Sequence, residues 1–343
     1  MNIFHSLSIL GPTASGKSTL AIELAKQING EIIGLDSRQI YKFFEIGTAQ
    51  PSKDELEEIP HHLIGIKDPK DHITAGSYAK LVRECIKDIC NRKKIPIICG
   101  GSGLYYRAIS KGIFEDSSSS LEIRYKLEKE YDDLGSDKLL DRLKSIDSEY
   151  SKIIHPNNKK RLIRALEIFE LTGKSPTEHF NNQKKVTNYK YYSIYLEWDK
   201  AALSKRIIKR TKKMIDSGWI EEVRRLVDRF SKNKIPPIDS IGYREICDYI
   251  ENDINLEKLI FDISNKTQRL STKQVKWFKN ETLDLVLNMP DFIKTDQAVN
   301  FIIKNIINDT TTPKTFPATS FISNPRTGII KCVNSKKIEI KNK

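Results

Sequence analysis

The hydrophobic positions of the chain form two kinds of pattern over its first hundred residues. Short continuous apolar runs, typical of strands buried on both faces, alternate with segments in which apolar residues recur every three or four positions. The strand-like runs are Leu7–Leu10, Glu31–Leu35, Leu63–Ile66, Ile95–Cys99 and, further along, Tyr192–Leu196, and the helical patterns are Thr19–Ile28 and Tyr78–Asn91. This alternation predicts an α/β fold in which crossover helices join the strands of a parallel sheet.

A second pattern occupies residues 117–189, where charged amphipathic helices are predicted and no strand is indicated. We expect this segment to be an all-helical insertion in a core formed by residues 1–116 and 190–285. The second part of the core includes a long basic helix, expected over Lys200–Phe230. A C-terminal extension follows at 286–343, helical up to about Ile307 and expected to be disordered over 312–343, where polar and basic residues lack periodicity.

Composition narrows the classes of function. The chain has 343 residues, a formal net charge of +13 and a pI near 9.3, which favours a polyanionic partner, although a general bias toward lysine explains the charge equally well. Five scattered cysteines form no C-x-x-C pair, so neither a zinc site nor a disulfide framework is indicated. No apolar stretch reaches about 18 residues and no signal-peptide pattern is present. We therefore expect a cytoplasmic protein without membrane contact, and a monomer.

A phosphate-binding loop follows the first strand and opens the first helix, which is the context that its G-x-x-x-x-G-K-[ST] pattern requires. Backbone N–H groups and the helix N-terminus converge on an anion in such a loop, a lysine reaches a terminal phosphate, and a hydroxyl can ligate Mg²⁺. The predicted diphosphate-binding residues are Gly11, Pro12, Thr13, Ala14, Ser15, Gly16, Lys17 and Ser18, with Ser18 as the metal ligand.

The strand ends depart from those of ordinary P-loop kinases and NTPases. Those proteins place an aspartate at the end of a second strand to help hold Mg²⁺, whereas Ile95–Cys99 runs into Gly100-Gly101-Ser102. Instead, Glu31–Leu35 ends at Asp36. Because chemistry gathers at the carboxyl ends of parallel strands, we expect Asp36 and Ser102 to face the bound phosphate, with Asp36 as a base that activates a nucleophile. The alternative is that Asp36 only caps the next helix, through Ser37 or Arg38.

Taken together, nine motifs in order resemble the tRNA dimethylallyltransferases, also called tRNA isopentenyltransferases, over residues 7–280. They are GPTASGKS (11–18), DSRQIYK (36–42), IGTAQP (46–51), PHHLIGI (60–66), GGSGLY (100–105), HPNNKKRLIRALE (155–167), RIIKRTKKMIDSGWIEEV (206–223), IGYREI (241–246) and TKQVKWFK (272–279). The resemblance implies a P-loop NTPase-like core and transfer of a dimethylallyl group from its diphosphate to the exocyclic amine of an adenosine. That adenosine lies 3′ of the anticodon in tRNAs that read codons starting with U.

The resemblance also implies roles for single residues. Asp36 takes the position of the general base. The departing diphosphate would be stabilised by Thr13, Lys17, Ser102 and a Mg²⁺ bound through Ser18. Arg206 and Arg210 would stabilise it as well. On sequence alone, those two arginines suit a solvated helix face equally well. The implied tRNA contacts are Asp36, Ser37, Arg38, Gln39, Ser102, Arg124, Lys160, Arg161, Leu162, Ile163 and Arg164.

Departures from the family pattern lie mainly in the RNA-contacting segments. Asn158 replaces a usual carboxylate, Ser102 replaces a threonine, and the basic residues around Thr272 and Lys276 are shifted.

Two other functions remain open at this point. An adenylate isopentenyltransferase would share the P-loop and base but act on free nucleotides, and a P-loop kinase or NTPase would turn over ATP.

Overall fold

The computed structural model describes residues 4–112, 120–182, 188–230, 235–252, 254–292 and 294–304. These residues divide into two compact units, one drawn from 1–110 and 187–343 and the other from 111–186. The expected disordered tail, 312–343, lies outside the described residues. Within the described ranges, no helix is both long and apolar enough to cross a lipid bilayer.

The first unit is built on a six-stranded parallel sheet with the strand order β3-β2-β4-β1-β5-β6. The strands are β1 (Phe4–Leu10), β2 (Gly30–Leu35), β3 (His61–His62), β4 (Ile95–Gly100), β5 (Tyr189–Glu197) and β6 (Leu285–Asn288). The helices of this unit are α1 (Lys17–Ile28), α2 (Lys53–Glu58), α3 (Ala75–Asn91), α4 (Gly103–Ser110), α10 (Lys200–Asp216), α11 (Trp219–Phe230), α12 (Tyr243–Glu251), α13 (Leu256–Phe278) and α14 (Thr295–Ile302). The predicted α/β class with a parallel sheet is confirmed.

Burial on both faces explains the apolar runs of the central strands. Leu7 and Ile9 of β1 are fully buried, and they pack in one core with Leu20 and Leu24 of α1. Leu10 is fully buried as well. Hydrophobic burial of these runs on both sides fixes the sheet, and the sheet in turn fixes where its loops emerge.

Two predicted elements differ in the structure. The run Leu63–Ile66 is not a strand, because Leu63 and Gly65 have positive φ angles of 63° and 58° and turn the chain. Its backbone N–H groups instead bond to the carbonyls of Gln39 and Ile40. The single helix expected over Lys200–Phe230 is two helices, since the chain turns at Gly218, which has a φ of 94°.

The second unit contains only helices among its described residues. They are α5 (Leu121–Leu134), α6 (Ser136–Ile146), α7 (Ser148–Ile153), α8 (Lys159–Thr172) and α9 (Pro176–Asn181). Their apolar faces meet in a separate core that includes Leu127, Leu139, Leu143 and Leu162, all fully buried. Amphipathic periodicity therefore predicts this part of the chain well.

Candidate active site

Three loops leave the sheet side by side at its carboxyl edge. In the register of the sheet, Leu10 and Leu35 both pair with Gly100. The P-loop, Asp36 and Gly101-Ser102 consequently begin at the same level on three neighbouring strands. This edge is where ligands bind in open parallel sheets.

The P-loop is held in a curled conformation. Ala14 and Gly16 have φ angles of 64° and 88°, and the Lys17 ammonium donates a hydrogen bond of 3.0 Å to the Pro12 carbonyl. Burial lowers the pKa of Lys17, and the charge of nearby Asp36 partly offsets this shift by raising the pKa. The loop borders a cavity of about 630 Å³, which Lys17 and Ser18 line. This geometry suits the binding of an anionic phosphate group.

Two arginines of α10 contact the P-loop directly. The Arg206 side chain donates from Nε to the Ala14 carbonyl at 2.7 Å and lies 4.3 Å from the centre of the Trp198 ring. Arg210, one helical turn later, donates to the Thr13 hydroxyl. Burial lowers the pKa of Arg210, while Asp36 acts in the opposite direction. The structure thus places both arginines against the loop, with Arg210 half-buried and Arg206 exposed.

Gln274 of α13 is a site residue that sequence reasoning missed. Its side-chain oxygen accepts the Thr13 N–H at 2.8 Å, and its side-chain nitrogen donates to the Gly101 carbonyl at 3.1 Å. A side chain at Gly101 would have no room, because its Cβ would lie 2.6 Å from Gln274 and 2.8 Å from the Gly11 carbonyl oxygen. Gln274 therefore ties the P-loop to the loop after β4.

Asp36 has one oxygen engaged by the backbone and one available. Oδ1 accepts the N–H groups of Arg38 at 2.7 Å and Gln39 at 3.4 Å. The capping role considered from sequence is therefore present, but it uses Oδ1 alone. Within the described part of the chain, no hydrogen bond reaches Oδ2. The half-buried carboxylate therefore keeps one oxygen outside the turn.

A second cavity, of about 370 Å³, adjoins the first, and Asp36 lines both. The two cavities also share the lining residues Thr13, Thr48, Arg210, Leu270 and Gln274. Ser37, Arg38 and Ser102 line the second cavity together with apolar groups from other elements, including Ile263, Trp219 and Tyr243. Asp36 thus lies where the P-loop cavity meets a second cavity that includes the aromatic side chains of Trp219 and Tyr243.

A buried carboxylate anchors the loop that carries Thr48. Glu222 of α11 accepts the backbone N–H groups of Glu45, Ile46 and Gly47 at 2.9, 2.7 and 3.1 Å, and the Tyr243 hydroxyl at 2.7 Å. Burial raises the pKa of Tyr243 well above its usual value, and the negative charge of Glu222 raises it further. Gly47 is tightly enclosed, since a Cβ there would lie 2.1 Å from the Trp219 ring nitrogen.

The side chain of Gln39 serves the same loop. Its amide nitrogen donates to the carbonyls of Thr48 and Ala49 at 3.0 and 2.7 Å. Both amide N–H groups are therefore engaged, and only the side-chain oxygen is left for a ligand.

Two residues of the second unit that were expected to contact RNA have buried side chains. Leu162 and Ile163 are 0% and 3% exposed and pack in the helical core. Arg124 and Arg164 both pair with buried Glu167, at 3.0 and 2.8 Å. Lys160 and Arg161 are exposed at the start of α8.

No group of three or more His, Cys, Asp or Glu side chains that could hold a metal ion occurs in the described ranges. A cation bound mostly by protein carboxylates or imidazoles is therefore not indicated there. The donor set fits the other common arrangement, in which Mg²⁺ takes most of its ligands from substrate phosphates and water. Ser18, exposed at the first turn of α1 and lining the larger cavity, is placed to add one hydroxyl.

The chain is similar to known proteins over most of its length. A model of the IPP transferase family matches residues 39–281. The tRNA dimethylallyltransferase of Thermoanaerobacter sp. (strain X514) is 40% identical over 308 residues, which cover 87% of this chain and 95% of the relative. The tRNA dimethylallyltransferase of Anoxybacillus flavithermus is 39% identical over 299 residues, which cover 87% of this chain and 94% of the relative.

Two solved structures are similar to most of the chain. The tRNA isopentenylpyrophosphate transferase of Bacillus halodurans has 34% identity and a TM-score of 0.63, covering 88% of this chain and 96% of that one. A eukaryotic dimethylallyltransferase acting on tRNA has 27% identity and a TM-score of 0.75, covering 91% and 81%. With the family model and the sequence relatives, these likenesses establish that the chain belongs to the tRNA dimethylallyltransferase (IPP transferase) family.

Proposed function

We propose that this protein transfers the dimethylallyl group of dimethylallyl diphosphate to the N6 amine of the adenosine 3′ of the anticodon, in tRNAs that read codons starting with U. The observation that carries the proposal is the position of Asp36, which borders both the P-loop cavity and the second cavity. A donor diphosphate in the first and an adenine in the second would meet beside this carboxylate. The names of the relatives favour tRNA over free adenylate as acceptor.

In the proposed step, the N6 nitrogen forms a bond to the allylic carbon as the bond from that carbon to the diphosphate oxygen breaks. Asp36 accepts the N6 proton on Oδ2, while the backbone hydrogen bonds to Oδ1 hold the carboxylate in place. An aromatic amine is a weak nucleophile, so removal of its proton in the transition state contributes about 10²–10⁴-fold.

The departing diphosphate gathers negative charge beside the P-loop. Lys17, Arg206 and Arg210 supply positive charge around that loop, and the loop N–H groups add fixed donors that need no reorganisation as the bond breaks. Ser102 adds a hydroxyl on the side of the second cavity. A Mg²⁺ held by the diphosphate and by Ser18 would neutralise part of the charge when bound.

The acceptor adenosine must leave its stack to enter the second cavity. Enzymes that act on a base extrude it and read its edge with hydrogen bonds in a pocket. Ser37 and Arg38 line the cavity beside Asp36 and would read the base there. The helical unit would contact phosphates of the RNA through exposed Lys160 and Arg161, together with Arg124 and Arg164. Such contacts fix the position of the RNA on the protein but do not read its sequence.

The replacement Asp36→Asn tests the role of the carboxylate. The amide is nearly isosteric and keeps an oxygen for the Arg38 N–H, but it cannot accept the N6 proton. We expect donor and tRNA binding to persist and the single-turnover rate of prenylation to fall by about 10²–10⁴-fold. A variant that keeps more than a tenth of the wild-type rate would show that Asp36 is not the base.

Acceptor choice tests the rest of the proposal. Unmodified tRNA and adenosine monophosphate are each offered with labelled dimethylallyl diphosphate. Label should enter the tRNA and not the nucleotide. Faster labelling of the nucleotide would instead identify an adenylate isopentenyltransferase.

A further inference from the structure

Two aromatic rings and two cations form a cluster in which the Phe43 ring and both cations are exposed, while the Phe230 ring is buried beneath them. We call it the Phe43 cluster; it consists of Phe43, Lys70, Arg229 and Phe230. The Arg229 guanidinium carbon lies 4.0 Å from the centre of the Phe43 ring, and the Phe43 and Phe230 ring centres are 5.9 Å apart. The Lys70 ammonium lies 5.9 Å from the Phe230 ring centre.

Phe43 adopts a backbone conformation that a bulky residue rarely takes. Its φ angle is 71°, in the left-handed region that glycine occupies without strain. Burial does not account for this, since Phe43 is 36% exposed. Strained residues gather at sites that bind or react, where the surrounding structure maintains them. The strain at Phe43 presents an aromatic ring at the surface.

The two cations of the cluster are available to a partner. Arg229 and Lys70 are exposed, and in the part of the chain that the structure describes no side-chain nitrogen of either lies within 4.0 Å of a carboxylate oxygen. An aromatic ring, a guanidinium plane stacked on it and a further cation are the groups that bind unpaired nucleotides. Bases stack on the ring or on the guanidinium, and the cations meet phosphates. The chemistry of the cluster therefore fits RNA, in keeping with the net charge of +13.

The cluster is continuous with the proposed acceptor site. Phe44, next to Phe43, is fully buried, and its ring centre lies 4.9 Å from that of Tyr243, which lines the second cavity. The same segment continues to Thr48, which borders both cavities. An RNA chain with one base in the second cavity has neighbouring nucleotides that must be held outside it.

We propose that the Phe43 cluster binds a nucleotide of the RNA substrate by stacking, outside the cavity that receives the reacting base. This inference rests on the proposed function, because it takes tRNA as the substrate. It adds a contact surface in the sheet-containing unit to the contacts expected from the helical unit.

Binding of unmodified tRNA to Phe43→Gly tests the inference. Glycine removes the ring and relieves the positive φ, so the melting temperature should stay within a few degrees of the wild-type value. The Kd for tRNA should rise about 5- to 100-fold, the range expected for one lost stacked base. Its dependence on salt should not change, because the lost contact carries no charge.

Three further variants make the result specific. Phe43→Tyr should keep the affinity for tRNA, and Arg229→Gln should weaken it and reduce the salt slope by up to about one unit. Phe261→Ala is the matched control, since Phe261 is 64% exposed and no cation lies over its ring in the described chain; its Kd should equal that of the wild type.

Wild-type protein in the same assay separates this inference from the proposed function. Failure of the wild type to bind or prenylate tRNA would contradict the proposed function. If the wild type binds and prenylates tRNA while Phe43→Gly retains the wild-type Kd, the stacking surface is refuted. A fall in melting temperature with unchanged affinity of the folded variant would likewise refute it, by assigning Phe43 a purely structural role.

Discussion

Glu222→Gln perturbs the loop around Thr48 without touching the proposed reacting atoms. The Glu222 carboxylate is 4% exposed and accepts four hydrogen bonds, two on each oxygen. Glutamine keeps one oxygen and therefore two of these bonds. Its amide nitrogen cannot accept, so one pair of donors, such as the Gly47 N–H and the Tyr243 hydroxyl, loses its acceptor.

The size of the effect follows from those two lost contacts. Hydrogen bonds to a charged group contribute about 1.5–3 kcal/mol each. The Tyr243 hydroxyl recovers part of this by rotating to accept from the new amide. We therefore expect the free energy of unfolding to fall by about 2–4 kcal/mol. For a domain of this size that corresponds to a decrease of about 5–15 °C in melting temperature.

Thermal unfolding followed by circular dichroism measures this change, and Glu221→Gln is the matched control. Glu221 precedes Glu222 on α11, is exposed, and makes no ion pair with any described residue. Its variant should melt within about 1 °C of the wild type, as surface substitutions usually do. If the two variants melt at the same temperature, the anchoring role of Glu222 is wrong. The folded Glu222→Gln protein should also have a raised KM for tRNA, because Thr48 and Gly47 line the second cavity.

Three other variants separate catalysis, RNA contact and packing. Ser102→Ala should slow single-turnover prenylation by about 10²–10³-fold with little change in tRNA affinity; a loss of affinity at an unchanged rate would make Ser102 an RNA contact. Replacing Lys160 and Arg161 together by alanine should leave donor binding unchanged. It should reduce the slope of log K for tRNA binding against log salt concentration by up to about two units. An unaltered slope would remove this segment from the RNA interface. Leu162→Ala should lower the free energy of unfolding by about 2–5 kcal/mol, measured by denaturant unfolding, and an undiminished stability would contradict its place in the helical core.

The parts of the structure that sequence predicts are those fixed by local pattern. The strand, loop and helix around Lys17 follow from a short motif and two apolar runs, and the helices around Leu127 follow from their periodicity. The position of Asp36 beside the P-loop needs only the rule that parallel strands end at one edge.

What sequence could not predict depends on contacts between distant segments. Gln274 reaches Thr13 across 261 positions, and Glu222 reaches Gly47 across 175; neither pairing leaves a local signal. The basic motif around Leu162 indicates a single RNA-contacting segment and so hides the burial of this side chain, whereas the helical period of α8 separates core from surface positions. The break at Gly218 did have a signal, the Ser-Gly pair within an otherwise helical run.

The most direct test of the central claim identifies the product on the RNA. Unmodified tRNA that reads codons starting with U is incubated with the protein, dimethylallyl diphosphate and Mg²⁺, digested to nucleosides and analysed by mass spectrometry. We expect one new nucleoside, adenosine carrying a single dimethylallyl group on N6, which comes from the position 3′ of the anticodon and is absent with Asp36→Asn. Unmodified adenosine at that position after incubation with wild-type protein, or a group attached elsewhere on the RNA, would contradict it.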